Sequence, residues 1–300
     1  MRDRFTGCGT ALVTPFTRSG ALDEAGVRRL ARRQIEAGIH FLVPCGTTGE
    51  TPTLTAAERV RVVELVVDEA KGKVPVLAGA GGYNTNEVIE SALEMARAGA
   101  DGILSVAPYY NKPTQEGLFQ HYQAIASAVP LPIIIYNVPG RTGCNVDVKT
   151  VARLTEIANI AGVKEASGNV TQMCELCGAL PERFLVLSGD DALTLPVMSI
   201  GGRGIVSVVS NEVPAEMVRM VEFAEAGDFT SARKLHQELL PLMQVNFVES
   251  SPIPVKSAMA MMGLVEEVYR LPLVAPSAES RDRIRRVLRE LGLATAAARA

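Results

Sequence analysis

The sequence has no tryptophan, three histidines, five cysteines and no excess of basic residues. Each scarcity removes a class of function. His40, His121 and His236 stand singly, so the HExxH type of zinc chemistry has no ligand set here. An odd number of cysteines in a chain of 300 residues suits reduced thiols rather than a disulfide framework. Cys174 and Cys177 form one CxxC, but no second pair completes a zinc site. Their neighbours have a helical pattern, so the two read as small side chains on one helix face, and no metal site is expected. Thirty Lys and Arg against 33 Asp and Glu leave a net charge of −3, the wrong sign for a nucleic acid or an anionic membrane. No GxGxxG or P-loop string occurs, which removes the usual dinucleotide and nucleotide cradles. Met1 to Gly7 leads into no long apolar stretch, so neither a secretory leader nor a spanning helix is expected and the cytoplasm is the expected compartment.

What is abundant is apolar residue, 47% of the chain, gathered into short runs on a regular beat. The runs are Gly9–Thr14, Phe41–Pro44, Val74–Ala78, Gly102–Val106, Pro132–Tyr136, Ile160–Lys164, Phe184–Leu187 and Gly204–Val209. They are continuous rather than alternating, as in parallel strands covered on both faces. Segments of helical period separate them, with start signals such as Thr55 followed by Glu58, and Thr85 followed by Glu87. Eight strands alternating with helices predict an α/β fold, a (β/α)8 TIM barrel over residues 1–213. Residues 214–300 supply the final barrel helix and a C-terminal helical extension, including Ser231–Met243 and Ser280–Leu291.

One residue breaks the pattern. Lys164 ends the run Ile160-Ala161-Gly162-Val163, where a buried side chain is expected. A lysine is seldom buried without a paired charge or a chemical task. An amine withdrawn from water loses part of its preference for the charged form and becomes a nucleophile for carbonyl carbon. Barrel active sites lie at the C-terminal ends of the strands, and the polar strings of this chain fall there. They are Gly46-Thr47-Thr48-Gly49-Glu50 after the second strand, Tyr109-Tyr110-Asn111-Lys112 after the fourth, Tyr136 to Thr142 at the fifth and Ser188-Gly189-Asp190-Asp191 after the seventh. Glu50 and Glu165 read as structural acids that tie loops to the rim. Asp190 and Asp191 read as caps of a helix starting near Ala192.

Taken together, GTTGE at 46–50, YYNKPTQEG at 109–117, YNVPGRTG at 136–143, VKEASG at 163–168 and GIVSV at 204–208 resemble the dihydrodipicolinate synthase family of lysine-dependent class I aldolases. The resemblance runs from about Gly7 to about Gly263. It implies a lyase that joins pyruvate to L-aspartate 4-semialdehyde through a Schiff base on Lys164, with no cofactor, because the protein's own amine performs the covalent catalysis. It further implies a proton relay of Tyr136, Thr47 and Tyr110, with Thr48 on the pyruvate carboxylate and Arg141 on the carboxylate of the aldehyde. The backbone at Gly189 and Ile205 would lie against the ketoacid. Tyr110 would enter the site of a neighbouring subunit, which implies a homodimer or homotetramer.

Two rivals are separated by residues of this chain. One is another pyruvate-dependent aldolase of the superfamily, acting on a sialic, gluconic or hydroxyproline-derived ketoacid; a sugar-acid site would present polyol-binding groups where Arg141 stands. A non-catalytic pyruvate-binding barrel would have no use for Lys164, Tyr136, Tyr110 and Thr47 together. Members of the family inhibited by lysine bind it beside this loop. Glu87 and Tyr109 match that pocket, whereas Ala56 and Arg59 stand where histidines occur and Tyr83 replaces an asparagine. Weak or absent inhibition by L-lysine is therefore expected.

Overall fold

The computed structural model describes residues 2–294. Its strands are β1 (Gly7–Ala11), β2 (Phe41–Val43), β3 (Leu77–Gly79), β4 (Gly102–Val106), β5 (Ile133–Asn137), β6 (Ile160–Glu165), β7 (Leu185–Ser188) and β8 (Gly204–Ser207). Helices α1 (Glu24–Glu36), α2 (Ala56–Ala70), α3 (Thr85–Arg97) and α4 (Gln115–Ala128) follow the first four strands in turn. After β5 come α5 (Pro139–Thr142) and α6 (Val148–Leu154), then α7 (Val170–Ala179) after β6 and α8 (Thr194–Ser199) after β7. Beyond β8 lie α9 (Pro214–Glu225), α10 (Phe229–Val245), α11 (Ile253–Met261) and α12 (Ala278–Glu290).

Every strand pair is parallel, in the order β2-β1-β8-β7-β6-β5-β4-β3. The ring closes between β2 and β3 through a bridge from Leu42 to Val76 and two amide bonds, Leu42 to Pro75 at 3.0 Å and Gly79 to Pro44 at 2.9 Å. The fold is the (β/α)8 barrel that the spacing predicts, with α9 packed on β1 and α12 resting on α10 and α11.

Continuous apolar runs are explained by two cores. Along β5, Ile133 and Ile135 face the helices while Ile134 and Tyr136 face the barrel interior with Leu104, Ala161 and Leu187. Strand alternation therefore sorts side chains between two apolar environments, and both sets are hydrophobic. Observed boundaries depart from the apolar runs by one to three residues in every strand but β4, and two of the shifted starts have a clear physical reason. β1 starts earlier, at Gly7, because Gly7 pairs with Gly204, and there a Cβ on Gly204 would sit 1.9 Å from the Gly7 carbonyl oxygen. β3 starts later, after Pro75, which has no amide hydrogen to give to a ladder.

Helix starts follow side-chain chemistry. Thr55 and Glu58 form a full capping box on α2. At α3 the cap is Asn84 rather than Thr85, its side chain accepting from the Asn86 amide at 3.1 Å. The Thr85 hydroxyl instead meets His121 Nδ1 at 2.9 Å.

Candidate active site

The orientation of Lys164 depends on a β-bulge. On β5 and β6, Ile133 pairs with Ile160 but Ile134 pairs with Gly162, so Ala161 is one residue too many. Ile160 faces the helices, and simple alternation from it would send Lys164 outward. The extra residue reverses the phase beyond it. Val163 then packs outward, and Lys164 turns into the barrel mouth. There it is 6% exposed, with Nζ 4.0 Å from the centroid of the Tyr136 ring.

Glu165, the next residue, locks that phase from the outside. Its fully buried carboxylate accepts from the Ser167 amide at 2.7 Å, from Asn137 Nδ2 at 2.9 Å and from Gln172 Nε2 at 3.2 Å. Asn145 completes the cluster, bonded to both Asn137 and Gln172. A carboxylate so satisfied fixes β6 against β5 and α7, because releasing it would strand a buried charge. Its role is structural, as its place in the sequence led us to expect.

The GTTGE turn closes over the same mouth. Thr47–Gly49 form one turn of 3-10 helix and Thr51–Thr53 a second, joined at Glu50, whose φ of 53° is left-handed. Thr48 is 4% exposed. Gly49 lies against β1, where a Cβ would meet the Leu12 carbonyl oxygen at 3.1 Å. The Glu50 carboxylate is completely buried and forms an ion pair with Lys256 of α11. Lys256 is not conspicuous in the sequence, because its partner lies 206 positions away and helix periodicity does not report a charge turned inward.

Gly189 stands directly behind the lysine. A Cβ there would meet Ala166 Cβ at 2.7 Å and Lys164 Cε at 3.0 Å, so only glycine leaves the lysine stem its place. Arg141 sits in α5, donating from one guanidinium nitrogen to the Ser251 carbonyl at 3.0 Å. Ile205 is on β8, but its side chain packs in the outer core, and Val206 is the residue that enters the interior. Alternation from either neighbour would have revealed Val206. Tyr110 is 88% exposed with a left-handed φ of 68°. It projects from the rim and is not joined to Tyr136 or Thr47 within one chain. Tyr109 stacks edge-on against Tyr83, with centroids 5.1 Å apart.

A cavity of about 270 Å³ lies at this end of the barrel, lined by Thr47, Arg59, Tyr109, Tyr136 and Arg141 among others. Two guanidinium groups and no carboxylate line it, so it favours anions. A larger cavity of about 560 Å³ opens at the opposite end, around Leu180, Phe184 and Arg203, and contains none of these groups. Asp190 caps the turn that begins with Asp191, accepting from the Ala192 amide at 2.9 Å. Asp191 itself turns inward instead. It accepts from Ser207 Oγ and from the Val208 and Val209 amides, and burial pushes its carboxyl up to about 6.

A (β/α)8 barrel that holds a buried lysine against a tyrosine of the adjacent strand, with that tyrosine lining a mouth that carries two arginines, is that of a class I, lysine-dependent lyase. The family model described as the Dihydrodipicolinate synthetase family matches residues 4–291, and the chain belongs to that family. A curated 4-hydroxy-tetrahydrodipicolinate synthase of Chloroherpeton thalassium is 53% identical over 300 residues, covering 100% of this chain and 99% of the relative. The crystal structure of dihydrodipicolinate synthase from Aquifex aeolicus superposes with a TM-score of 0.95 at 42% identity, covering 97% of this chain and 100% of that one. A solved structure described as a monomeric dihydrodipicolinate synthase variant gives a TM-score of 0.95 at 42% identity, with 97% and 98% coverage. Among the described residues, no helix is long and apolar enough to cross a membrane.

Proposed function

We propose that this chain is a lyase that condenses pyruvate with L-aspartate 4-semialdehyde to 4-hydroxy-tetrahydrodipicolinate, at the entry to diaminopimelate and lysine synthesis. The Lys164 amine adds to the ketone carbon of pyruvate, and the carbinolamine loses water to a protonated imine. The imine is an electron sink, so the methyl group gives up a proton and an enamine forms. The enamine carbon attacks the aldehyde, making the new C–C bond and leaving an alkoxide that takes up a proton. The amino group of the second substrate then displaces Lys164 as the ring closes, and the free lysine returns.

Tyr136, beside Nζ, exchanges the protons of imine formation, connected through Thr47 to Tyr110 of a second copy of the chain. This arrangement requires a homodimer or homotetramer. Thr48 and the turn amides receive the pyruvate carboxylate, and Arg141 receives that of the semialdehyde. Gly189, the Ile205 backbone and the Val206 side chain shape the ketoacid pocket. The enzyme works in the cytoplasm without a cofactor.

The observation that carries this reading is the placement of Lys164 Nζ over Tyr136 inside the mouth. Borohydride reduction in the presence of pyruvate, followed by peptide mass spectrometry, tests it. A reduced adduct on Lys164, lost in Lys164→Ala, is the expected result. An adduct on another lysine would overturn the mechanism.

A further inference from the structure

Lys256 is more deeply buried than Lys164, and the chemistry above makes no use of it. It comes from α11, in the C-terminal extension, and both it and its partner Glu50 are 0% exposed by side chain. Its ammonium lies 4.1 Å from the Phe16 ring centroid and 5.5 Å from that of Tyr269. Burial lowers its affinity for a proton, and the Glu50 carboxylate opposes that shift.

A buried ion pair is often no more stabilising than apolar residues of similar size, so stability alone does not account for this one. What the pair supplies is position. Glu50 is the joint of the substrate turn. Its amide donates to the Thr47 carbonyl at 3.1 Å, and its own carbonyl accepts from the Thr53 amide at 2.8 Å and the Thr53 hydroxyl at 2.9 Å. Its left-handed backbone costs a non-glycine residue conformational energy, so something outside the turn must hold it. Among the described residues, Lys256 is the only cationic side chain in an ion pair with it. The segment leading into α11 also reaches the second loop, since the Ser251 carbonyl accepts from Arg141.

We propose that Lys256 is a positioning residue for the ketoacid step: through Glu50 it fixes the Thr47–Thr48 turn in the form that receives the pyruvate carboxylate. The inference rests on the reading of that turn as the pyruvate site. Without Lys256 the turn samples other conformations, and ordering it accompanies each binding event.

The test compares wild type, Lys256→Met, Lys256→Arg and the double variant Glu50→Gln/Lys256→Met, which removes both charges and so leaves no lone buried one. Pyruvate KM is measured together with hydrogen exchange of residues 46–53. In the double variant, pyruvate KM should rise about tenfold, the equivalent of ordering roughly one backbone residue on binding. Exchange in the turn should accelerate, and Lys256→Arg should recover most of both. A folded double variant with wild-type exchange in the turn overturns the proposal. Faster exchange with unchanged pyruvate KM would leave the strut in place and instead reject the turn as the pyruvate site.

Discussion

Lys164 and Tyr136 are register partners across β6 and β5, and the lysine ammonium lies 4.0 Å from the centre of the phenol ring. The pairing depends on one inserted residue, Ala161, and on the outward anchor of Glu165 immediately after the lysine. The two side chains to which we assign the nucleophile and the proton carrier are thus fixed by backbone hydrogen bonds rather than by a loop. That is the arrangement for a step in which misplacement by about 1 Å is costly.

The role proposed for Arg141, on the second substrate alone, is open to a direct test. Its guanidinium lines the mouth but does not touch Lys164, and it is oriented by the Ser251 carbonyl. Arg141→Ala should reduce kcat/KM for the semialdehyde by about 1.5–3 kcal/mol of lost charge-assisted bonding. Borohydride trapping with pyruvate should proceed nearly as in the wild type. Steady-state kinetics beside a trapping assay check this, and unchanged use of the aldehyde would remove Arg141 from the site.

Gly189 makes a sharper demand. Its missing Cβ is space occupied by the Lys164 stem and by Ala166. Gly189→Ala should displace the lysine, or push β7 away from β6, and lower the rate of adduct formation by about 100-fold. A modest loss of thermal stability should accompany it, about 1–3 kcal/mol from overpacking. Single-turnover trapping and a thermal melt measure the two effects. Trapping at the wild-type rate would show that the pocket accommodates a methyl group.

The barrel was legible because eight apolar runs on a regular beat have few other foldings, and Lys164 was conspicuous as a charge in one of them. The bulge at Ala161 left no mark in the sequence, since small residues are common in strands covered on both faces. The role expected of Ile205 belongs to its backbone, and which side chain of β8 enters the interior, that of Val206, is decided by the strand's phase. Lys256 could not be anticipated, because the charge it meets belongs to a loop at the other end of the chain. Tyr110 projects from the single chain, so the relay role proposed for it calls on a surface that one chain does not supply.

Buried Asp191 gives a pH dependence of definite sign. Its folded pKa, raised by burial from 3.8 to about 6, means that the folded state holds the proton more tightly than the unfolded one. Its contribution to stability is therefore fully present below about pH 3.8, falls as pH rises towards 6, and is constant above that. His121 acts in the opposite direction, since burial lowers it to about 4 and its contribution is lost on acidification. Comparison with Asp191→Asn cancels the histidine. The stability of wild type relative to the variant should fall by roughly 2–3 kcal/mol from about pH 4 to pH 7. Urea melts across that range provide the test, and a difference independent of pH would show that burial leaves the Asp191 carboxyl at its unfolded value.

L-lysine should inhibit weakly or not at all. Glu87 and Tyr109 match the effector pocket of inhibited members of the family, but the rest of its lining is altered. Arg59 lines the cavity with its Nε buried and without an acceptor, so a ligand ammonium entering there would meet a cationic side chain. Like charges about 4 Å apart repel by about 4 kcal/mol at the effective dielectric of a protein surface. Tyr83 closes on Tyr109 edge-to-face, filling space that an amino acid would need. Initial rates over increasing L-lysine should stay near the uninhibited value, and Arg59→His with Tyr83→Asn should bring sensitivity back. Half-inhibition of the unaltered protein below about 1 mM, a binding energy of roughly 4 kcal/mol or more, would show that the ammonium finds a place away from Arg59.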